Sequence, residues 1–338
     1  MDEGLLEIIN GNRVNGNDMK RIAYFLSSAG ATDSQRAAFL SSIHIRGETP
    51  EEIEGFASGI MSMASISPYR NCTDIVGTGG DGKGTINVST ASAIICASLG
   101  IKIGKHGNRS VTGKFGSADF MEACGYDFSM SDGEIRETLQ KENFVFILAP
   151  QYNSSFRSFS SVRKKLGHRT IFNIMGPITN PLNPKKAIMG STSMDIQEVL
   201  ARVMKIRSVS GFSITSLDGM DEISPFAESS LMEVSDSVRK HEVDGRRIIG
   251  RRIAEDNVEG KDRDSIFNLT LSGIKGENMD ASAFIALNAA PAVLLNGVAD
   301  TLEDSYRIAL KSMKNGMAFS ELSRITKGKV PEVDTVAR

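Results

Sequence analysis

The sequence predicts an α/β protein in which a mostly parallel sheet is flanked by helices, with a smaller all-helical N-terminal domain. Apolar residues recur at helical spacing from residue 5 to about residue 65, without strand-like alternation. After Pro68, short apolar runs alternate with helical segments, which is typical of βαβ units. The chain has 338 residues and exceeds one typical domain. We therefore expect a helical domain over residues 1–70 and an α/β domain over residues 71–338.

The N-terminal segment contains a clear helix start. Thr49 is placed to cap a helix, Pro50 favours its first turn, and the two acids that follow complement the helix dipole. Pro68 then ends the helical segment, because proline disfavours helix at the residue before it.

Six short apolar runs predict strands, and five longer segments predict helices. The predicted strands cover residues 74–77, 101–104, 144–148, 186–190, 209–214 and 231–234. The predicted helices cover residues 87–99, a segment that starts at Ser131 with a capping box to Glu134, and residues 195–206, 281–298 and 302–315. The highly charged stretch 245–264 is interpreted as solvated surface.

Charge and cysteine content narrow the class of protein. A formal net charge of -2 and a pI near 6.2 provide no global basic field, so no nucleic-acid partner is expected. The three cysteines are an odd number without CxxC spacing, which favours a reducing cytoplasm. The first residues are acidic where a secretory signal would be positive. These observations predict a cytoplasmic protein.

The longest apolar stretch covers residues 281–299. It is interrupted by Asn288, Pro291 and Asn296. We interpret it as a buried helix pair rather than a membrane span, and expect a soluble protein with no membrane partner.

Five glycines lie between the first predicted strand and the helix after it: Gly77, Gly79, Gly80, Gly82 and Gly84. Glycine backbone amides can surround an anion that also meets the helix N-terminus. A merely tight turn between strand and helix would need one or two glycines, so the loop is interpreted as an anion site.

Two known phosphate motifs nearly match this loop. The dinucleotide fingerprint also needs an acid about 20 residues further on, but no Asp or Glu lies between Asp81 and Asp119. The P-loop motif needs Ser or Thr after its lysine, and Gly84 stands there, with Thr85 one residue late. Neither motif explains the loop.

Polar residues follow both of the first two predicted strands. Asn87, Ser89 and Thr90 stand at a helix start, where they can cap the helix, bind phosphate or ligate Mg²⁺. The basic segment 105–109 follows the second strand, at the edge where open α/β sheets bind ligands. The alternative interpretation of that segment is a solvated basic turn that binds no ligand.

An acidic pair, Asp221 and Glu222, follows a later strand on a predicted loop. Such pairs are usually surface charges. A pyrophosphate ligand, however, requires a divalent metal, and Mg²⁺ prefers hard oxygen ligands. The pair is therefore a candidate magnesium site, with Mg²⁺ as the expected cofactor.

In an ordered set of motifs that spans most of its length, the chain resembles the anthranilate phosphoribosyltransferases. The set comprises Gly77-Thr-Gly-Gly-Asp81, Asn87-Val-Ser-Thr90, Lys105-His-Gly-Asn-Arg109, Gly116-Ser-Ala-Asp119, Val162-Arg-Lys-Lys-Leu-Gly167, Arg169-Thr-Ile-Phe-Asn173, Gly176-Pro-Ile-Thr-Asn-Pro181 and Asp221-Glu222. The resemblance implies a helical domain, completed by helices from about residues 152–182, hinged to an α/β domain. It also implies a homodimer formed through the helical domains.

The resemblance further implies transfer of phosphoribose from phosphoribosyl pyrophosphate (PRPP) to the amine of anthranilate, a step of tryptophan biosynthesis. Ser89, Asp221 and Glu222 match the family's magnesium ligands, and Gly77, Asn108 and Arg163 match positions at the anthranilate. The residues that match the PRPP site are Gly77, Gly80, Asp81, Thr85, Asn87, Val88, Ser89, Thr90, Lys105, His106, Gly107, Asn108, Arg109, Ser110, Val111, Thr112, Gly113 and Ser117. No general acid or base is assigned, since an aromatic amine is already neutral near pH 7, and His106 is interpreted as shaping the ligand site.

The chain departs from the family on the acceptor side. The family segment Ala-Pro-x-x-His-Pro-Ala reads here Ala149-Pro150-Gln151-Tyr152-Asn153-Ser154-Ser155, so an altered acceptor channel is expected. The family's Val-His-Gly before the acidic pair is replaced by Ile214-Thr215-Ser216. The donor side matches better.

Two other functions fit the same architecture. A pyrimidine nucleoside phosphorylase would need no magnesium pair, so the acidic pair argues against it. A non-enzymatic nucleic-acid-binding relative would need a basic groove, which the pI does not favour.

Overall fold

Seven strands form one mixed sheet in the order β3-β2-β1-β4-β5-β6-β7 in the computed structural model, which describes residues 2–109 and 115–331. Strands β1 to β5 are parallel, β6 pairs antiparallel with β5, and β7 pairs antiparallel with β6. The strands are β1 Thr73–Gly77, β2 Ile103–Gly107, β3 Phe144–Leu148, β4 Lys186–Gly190, β5 Ser210–Ser216, β6 Glu228–Val234 and β7 Val238–Asp244. The predicted fold class is confirmed.

Sixteen α-helices surround this sheet in the described part of the chain. The first four, α1 Glu3–Ile9, α2 Gly16–Ser27, α3 Asp33–Arg46 and α4 Pro50–Met61, come before any strand. The others are α5 Val88–Ser98, α6 Ser117–Ala123, α7 Asp132–Lys141, α8 Ala149–Tyr152, α9 Ser155–Leu166, α10 Phe172–Met175, α11 Met194–Ile206, α12 Gly245–Ile249, α13 Arg263–Ile274, α14 Met279–Leu295, α15 Leu302–Lys314 and α16 Met317–Ile325. The predicted caps are present, since Thr49 and Ser131 each form a capping box.

The second strand lies further along the chain than predicted. It covers Ile103–Gly107 rather than residues 101–104, so Lys105 and His106 lie within the sheet and are buried, not on the loop after it. The prediction ended the strand too early because a lysine and a histidine usually mark exposed chain. Here both side chains have polar partners in the interior, which offsets the cost of burying them.

Residues 281–295 of the apolar stretch lie in one helix, α14, rather than in a helix pair, and the helix ends before Asn296. Pro291 stands inside this helix, where the predicted break does not occur. Among the described residues, no single helix is both long and apolar enough to cross a membrane; one pair, α13 with α14, meets the length and composition test together but is bent by 74°.

The charged stretch 245–264 is only partly solvated surface, because it begins with the short helix α12 and its Ile253 and Val258 side chains are buried. Directly before it lies the exposed edge strand β7, which was not predicted because no apolar run marks its sequence, Val-Arg-Lys-His-Glu-Val-Asp. Exposed charges on an edge strand discourage pairing with other chains.

The apolar side chains form two large cores, one on each face of the sheet. In β1 and β4, Ile75 and Ile188 face one core, and Val76 and Met189 face the other. The first core is closed by α5 and α13 to α16. The second contains side chains of the four N-terminal helices together with α9, α10 and α11. The N-terminal helices thus share one core with the helices of residues 155–175.

Candidate active site

The glycine-rich loop joins the end of β1 to the start of α5, as the sequence predicts. Gly79, Gly80, Gly82 and Gly84 have φ values of 65°, 79°, 73° and 71°, in the left-handed region that glycine adopts without strain. The loop is held at its far end, where Ile86 N–H donates to the Val258 carbonyl. Its conformation therefore depends on the glycines.

The loop lies where the order of the parallel strands reverses. Strands β2 and β3 lie on one side of β1, and β4 and β5 lie on the other. Open α/β sheets bind ligands in the crevice outside the carboxyl ends of their strands at this point. The loop after β1 and the end of β4 form the two sides of that crevice.

The acidic pair lies directly against the loop. The Asp221 carboxylate accepts a hydrogen bond of 2.7 Å from Gly79 N–H, and Ser89 Oγ lies 3.5 Å from Glu222 Oε1. The structure therefore brings together the three predicted metal ligands, which come from different parts of the chain.

Two glycines leave the space that Asp221 occupies. A methyl group at Gly77 would collide with the Asp221 carboxylate, and a methyl group at Gly190 would collide with its backbone carbonyl. Hydrogen is the only side chain that fits at both strand ends while Asp221 keeps this position. Gly190 was not recognised in the sequence, because a single glycine at a strand end has many explanations.

Acidic groups are concentrated at the site. Burial, with the nearby Asp81 carboxylate, raises the pKa of Asp221 to about 6. Burial and the charges of Asp221 and Asp81 raise the pKa of Glu222 well above its ordinary value, and Glu222 Oε2 has no hydrogen-bond partner in the described structure. Hard carboxylate and hydroxyl oxygens crowded in this way fit Mg²⁺, whose charge would offset their repulsion.

Lys105 is the cation that faces these acids from inside the sheet. Its ammonium donates a hydrogen bond of 2.6 Å to the Ile75 carbonyl, and burial lowers its pKa to about 8. Asp74, which sequence reasoning missed, lies beside it and accepts from His106 N–H at 3.0 Å and from the Asn180 amide at 2.8 Å. The sequence signal that could have revealed Asp74 was an acidic residue within a predicted buried strand.

His106 is held as a neutral side chain. Its Nδ1 lies 3.0 Å from the Gly176 carbonyl oxygen, and burial lowers its pKa to about 4. With Nδ1–H donating to that carbonyl, the ring is fixed in one orientation.

The start of α5 contains polar groups that the protein itself leaves unused. The Asn87 side chain makes no capping hydrogen bond although Asn87 is the N-cap residue, and its Nδ2 is buried without a partner. Thr78 Oγ1, on the loop opposite, is also buried without a partner. Buried polar atoms are normally satisfied, so unpartnered atoms grouped beside a glycine-rich anion loop are available to a ligand.

Other predicted donor-site residues lie around this crevice in different roles. Val88 and Thr90 are buried in the first turns of α5, and Thr85 forms an isolated bridge with Glu259. The Ser117 hydroxyl donates to the Asn108 carbonyl at 3.1 Å. Ser110, Val111, Thr112 and Gly113 lie outside the described residues.

Arg109 is engaged away from the loop. Its guanidinium forms a two-point ion pair with Glu122, at 2.5 and 2.7 Å, and lies 3.5 Å from Asp119. The structure thus gives this arginine protein partners in α6, whereas the sequence predicted a ligand for it.

Arg163 lies on α9, with its guanidinium 5.1 Å from the centre of the Phe172 ring. Burial lowers its pKa, and no ion pair is found for it among the described residues. The altered segment before it is internally bonded: the Asn153 amide donates to the Ile60 carbonyl at 2.7 Å and its oxygen accepts from Ser155 N–H at 3.0 Å. Both polar atoms of the Asn153 side chain are therefore engaged by the protein backbone.

Comparison with known families defines the class of protein. The helical bundle domain of a glycosyl transferase family matches residues 5–64, and the a/b domain of a glycosyl transferase family matches residues 69–319. The fold and the anion crevice are thus those of a glycosyltransferase.

Individual relatives narrow this class. An anthranilate phosphoribosyltransferase of Picrophilus torridus is 46% identical, with 88% of this chain and 91% of the relative covered. One of Thermoplasma acidophilum is 43% identical, with 86% and 89% covered. The chain belongs to the anthranilate phosphoribosyltransferase family.

Solved structures agree with this assignment. The crystal structure of anthranilate phosphoribosyltransferase from Thermus thermophilus has a TM-score of 0.90 at 27% identity, covering 97% of this chain and 99% of that chain. The enzyme of Saccharomyces cerevisiae, solved in complex with PRPP and Mg, has a TM-score of 0.85 at 22% identity over 97% and 98%, and shares the fold.

Proposed function

We propose that this protein transfers the phosphoribosyl group of PRPP to the amine of anthranilate, giving N-(5-phosphoribosyl)anthranilate and pyrophosphate, in tryptophan biosynthesis. One observation carries the proposal. Of the nine buried side-chain polar atoms that lack a protein partner in the described structure, three belong to the glycine-rich loop, the start of α5 and the acidic pair: Thr78 Oγ1, Asn87 Nδ2 and Glu222 Oε2. Two are donors for phosphate or sugar oxygens, and one is an acceptor for a cation.

The donor-site roles follow from this geometry. Backbone amides of the loop, together with Asn87 and the N-terminus of α5, bind the anionic donor and fix its orientation. Ser89, Asp221 and Glu222 would hold Mg²⁺, which when bound neutralises charge on the pyrophosphate. The remaining donor-site residues named from the sequence are proposed to line the same ligand.

Departure of pyrophosphate leaves a positively charged, oxocarbenium-like sugar carbon. The protein's contribution is to hold that carbon near a correctly aimed amine, without a dedicated general base. Neutral His106, fixed by the Gly176 carbonyl, shapes the site and does not need to take up a proton.

The acceptor is proposed to bind near α9. The cation of Arg163, which has no acidic partner among the described residues, suits the carboxylate of anthranilate, and Gly77 and Asn108 are proposed to contact the same molecule. We also propose that residues 1–70, completed by the helices of residues 152–182, form a domain that closes on the α/β domain. A homodimer through these helices and a cytoplasmic location remain predictions.

The reaction is tested by mixing the protein with anthranilate, PRPP and Mg²⁺ and following anthranilate fluorescence. Loss of fluorescence that depends on PRPP and on Mg²⁺ is expected. Folded protein that consumes neither anthranilate nor related aromatic amines would contradict the proposal. Phosphate-dependent cleavage of a pyrimidine nucleoside would instead establish a phosphorylase.

The metal site is tested by the double variant Asp221→Asn with Glu222→Gln. Both substitutions keep the shape of the side chain and remove the charge, so metal-dependent turnover should fall sharply while the fold remains intact. Full activity in the double variant would show that the metal binds elsewhere.

A further inference from the structure

The acidic pair lies on a segment that has no regular secondary structure. Residues 217–227 connect β5 to β6 without helix or strand, so the backbone of the pair has no ladder to fix it. Four polar groups of the backbone at residues 222–224 are nevertheless hydrogen-bonded, each by a side chain. Two side chains, Ser216 and Asn288, supply these bonds.

Ser216, the last residue of β5, contacts both ends of this short segment. Its hydroxyl donates to the Glu222 carbonyl at 2.5 Å and accepts from Ser224 N–H at 3.0 Å. Ser229 on β6 supports it, because its hydroxyl lies 2.6 Å from Ser216 Oγ and also accepts from Ser224 N–H. The family resemblance places glycine at position 216, so this hydroxyl is a feature of the present chain.

Asn288 contacts the middle of the segment from α14. Its Oδ1 accepts from Ile223 N–H at 2.8 Å, and its Nδ2 donates to the Ile223 carbonyl at 3.1 Å. It is buried in a helix whose other inward side chains are almost all apolar. A small cavity at the strand ends is lined by Asn288 together with Ser89, Asp221 and Glu222.

We propose that Ser216 and Asn288 are positioning residues for the magnesium site, which hold the backbone at Glu222 and the two residues after it, so that the acidic pair keeps its binding geometry before the metal arrives. The inference rests on the proposed function, since it assumes that Asp221 and Glu222 bind the metal. Two neighbouring buried carboxylates repel each other, and an unanchored loop would relieve the repulsion by moving toward solvent. Mutation of side chains that orient metal ligands commonly weakens metal binding, and the same effect is expected for Ser216 and Asn288.

The test compares Ser216→Ala and Asn288→Ala with a matched control, Ser230→Ala. Ser230 is equally buried and lies on the strand next to β5, but its hydroxyl has no hydrogen-bond partner in the described structure. Mn²⁺ is titrated into each full-length protein with and without PRPP, and the loss of the free-ion EPR signal is measured against PRPP alone. Circular dichroism and thermal unfolding monitor the fold.

We expect Mn²⁺ binding to weaken about 10-fold in Ser216→Ala and at least as much in Asn288→Ala, with the control unchanged. The Mg²⁺ concentration for half-maximal rate should rise by a similar factor, with a smaller change in the rate at saturating Mg²⁺. Wild-type affinity in a folded Ser216→Ala variant would overturn the inference while leaving the proposed function standing. If the wild-type protein itself does not bind Mn²⁺ in the presence of PRPP, the proposed metal site fails, and the inference with it.

Discussion

The substitution Asp221→Asn should stabilise the metal-free protein while it impairs catalysis. The Asp221 carboxylate is 9% exposed, and burial beside Asp81 raises its pKa to about 6. The amide has the same shape and mimics the protonated acid, so it can still accept the hydrogen bond from Gly79. The repulsion that the native carboxylate experiences is removed.

The magnitude follows from the pKa difference between the folded and unfolded states. A rise from 3.8 to about 6 corresponds to about 3 kcal/mol of lost stability above pH 6. Because the folded pKa is raised, this penalty is complete at pH 7.5 and disappears as the pH falls toward 3.8. At pH 4.5 it should be about 1 kcal/mol by the same relation.

The assay is urea unfolding of wild-type protein and variant, with EDTA, at pH 7.5 and pH 4.5. The control Asp300→Asn removes an exposed carboxylate and should change little. When saturating concentrations of Mg²⁺ and PRPP replace EDTA, they should stabilise the wild-type protein more than the variant. A variant that is less stable than the wild type at pH 7.5 in EDTA would refute the reasoning, as would a difference that does not shrink at low pH.

Three other predictions concern neighbouring residues. Gly77→Ala should destabilise the protein by about 1–3 kcal/mol, since its methyl group overlaps the Asp221 carboxylate, and urea unfolding with a Mg²⁺ titration of the rate measures both effects. For His106, the folded pKa of about 4 lies below the unfolded value of 6.5, so the free energy of unfolding should fall by about 3 kcal/mol between pH 6.5 and pH 4. In His106→Gln this loss should be absent. A variant whose stability falls as much as that of the wild type over this pH range would contradict the prediction. Arg163→Ala should raise KM for anthranilate about 10- to 100-fold, as expected for a lost charged hydrogen bond, with KM for PRPP unchanged in steady-state kinetics.

The donor loop was predictable because its chemistry is local. The sequence predicted a glycine-rich loop between a strand and a helix, and four of its five glycines, Gly79, Gly80, Gly82 and Gly84, adopt left-handed backbone. The sequence placed Asp221 and Glu222 on a loop after β5, and the structure brings that loop to the glycines. What a short stretch of chain determines could thus be inferred from that stretch.

The rest could not be inferred because it depends on contacts distant in the sequence. Lys105 and His106 looked like exposed chain, and only the Ile75 and Gly176 carbonyls make their burial tolerable. Asn288 was visible only as an interruption of an apolar stretch, and its role could not be inferred because its partner is the backbone of a residue 65 positions earlier. Side chains that bond to backbone distant in the sequence leave no recognisable pattern of residue types, unlike the local helix caps at Thr49 and Ser131.

The two glycines at 77 and 190 have a consequence for how this enzyme can evolve. Any substitution of either glycine places side-chain atoms against Asp221, so stepwise mutation of the donor site is constrained at both strand ends. The segment at Asn153, where the chain departs from the family pattern, contains no glycine held in this way. New acceptor amines, whether selected in nature or in a mutant library, should therefore arise through α8 and α9 while the donor stays the same.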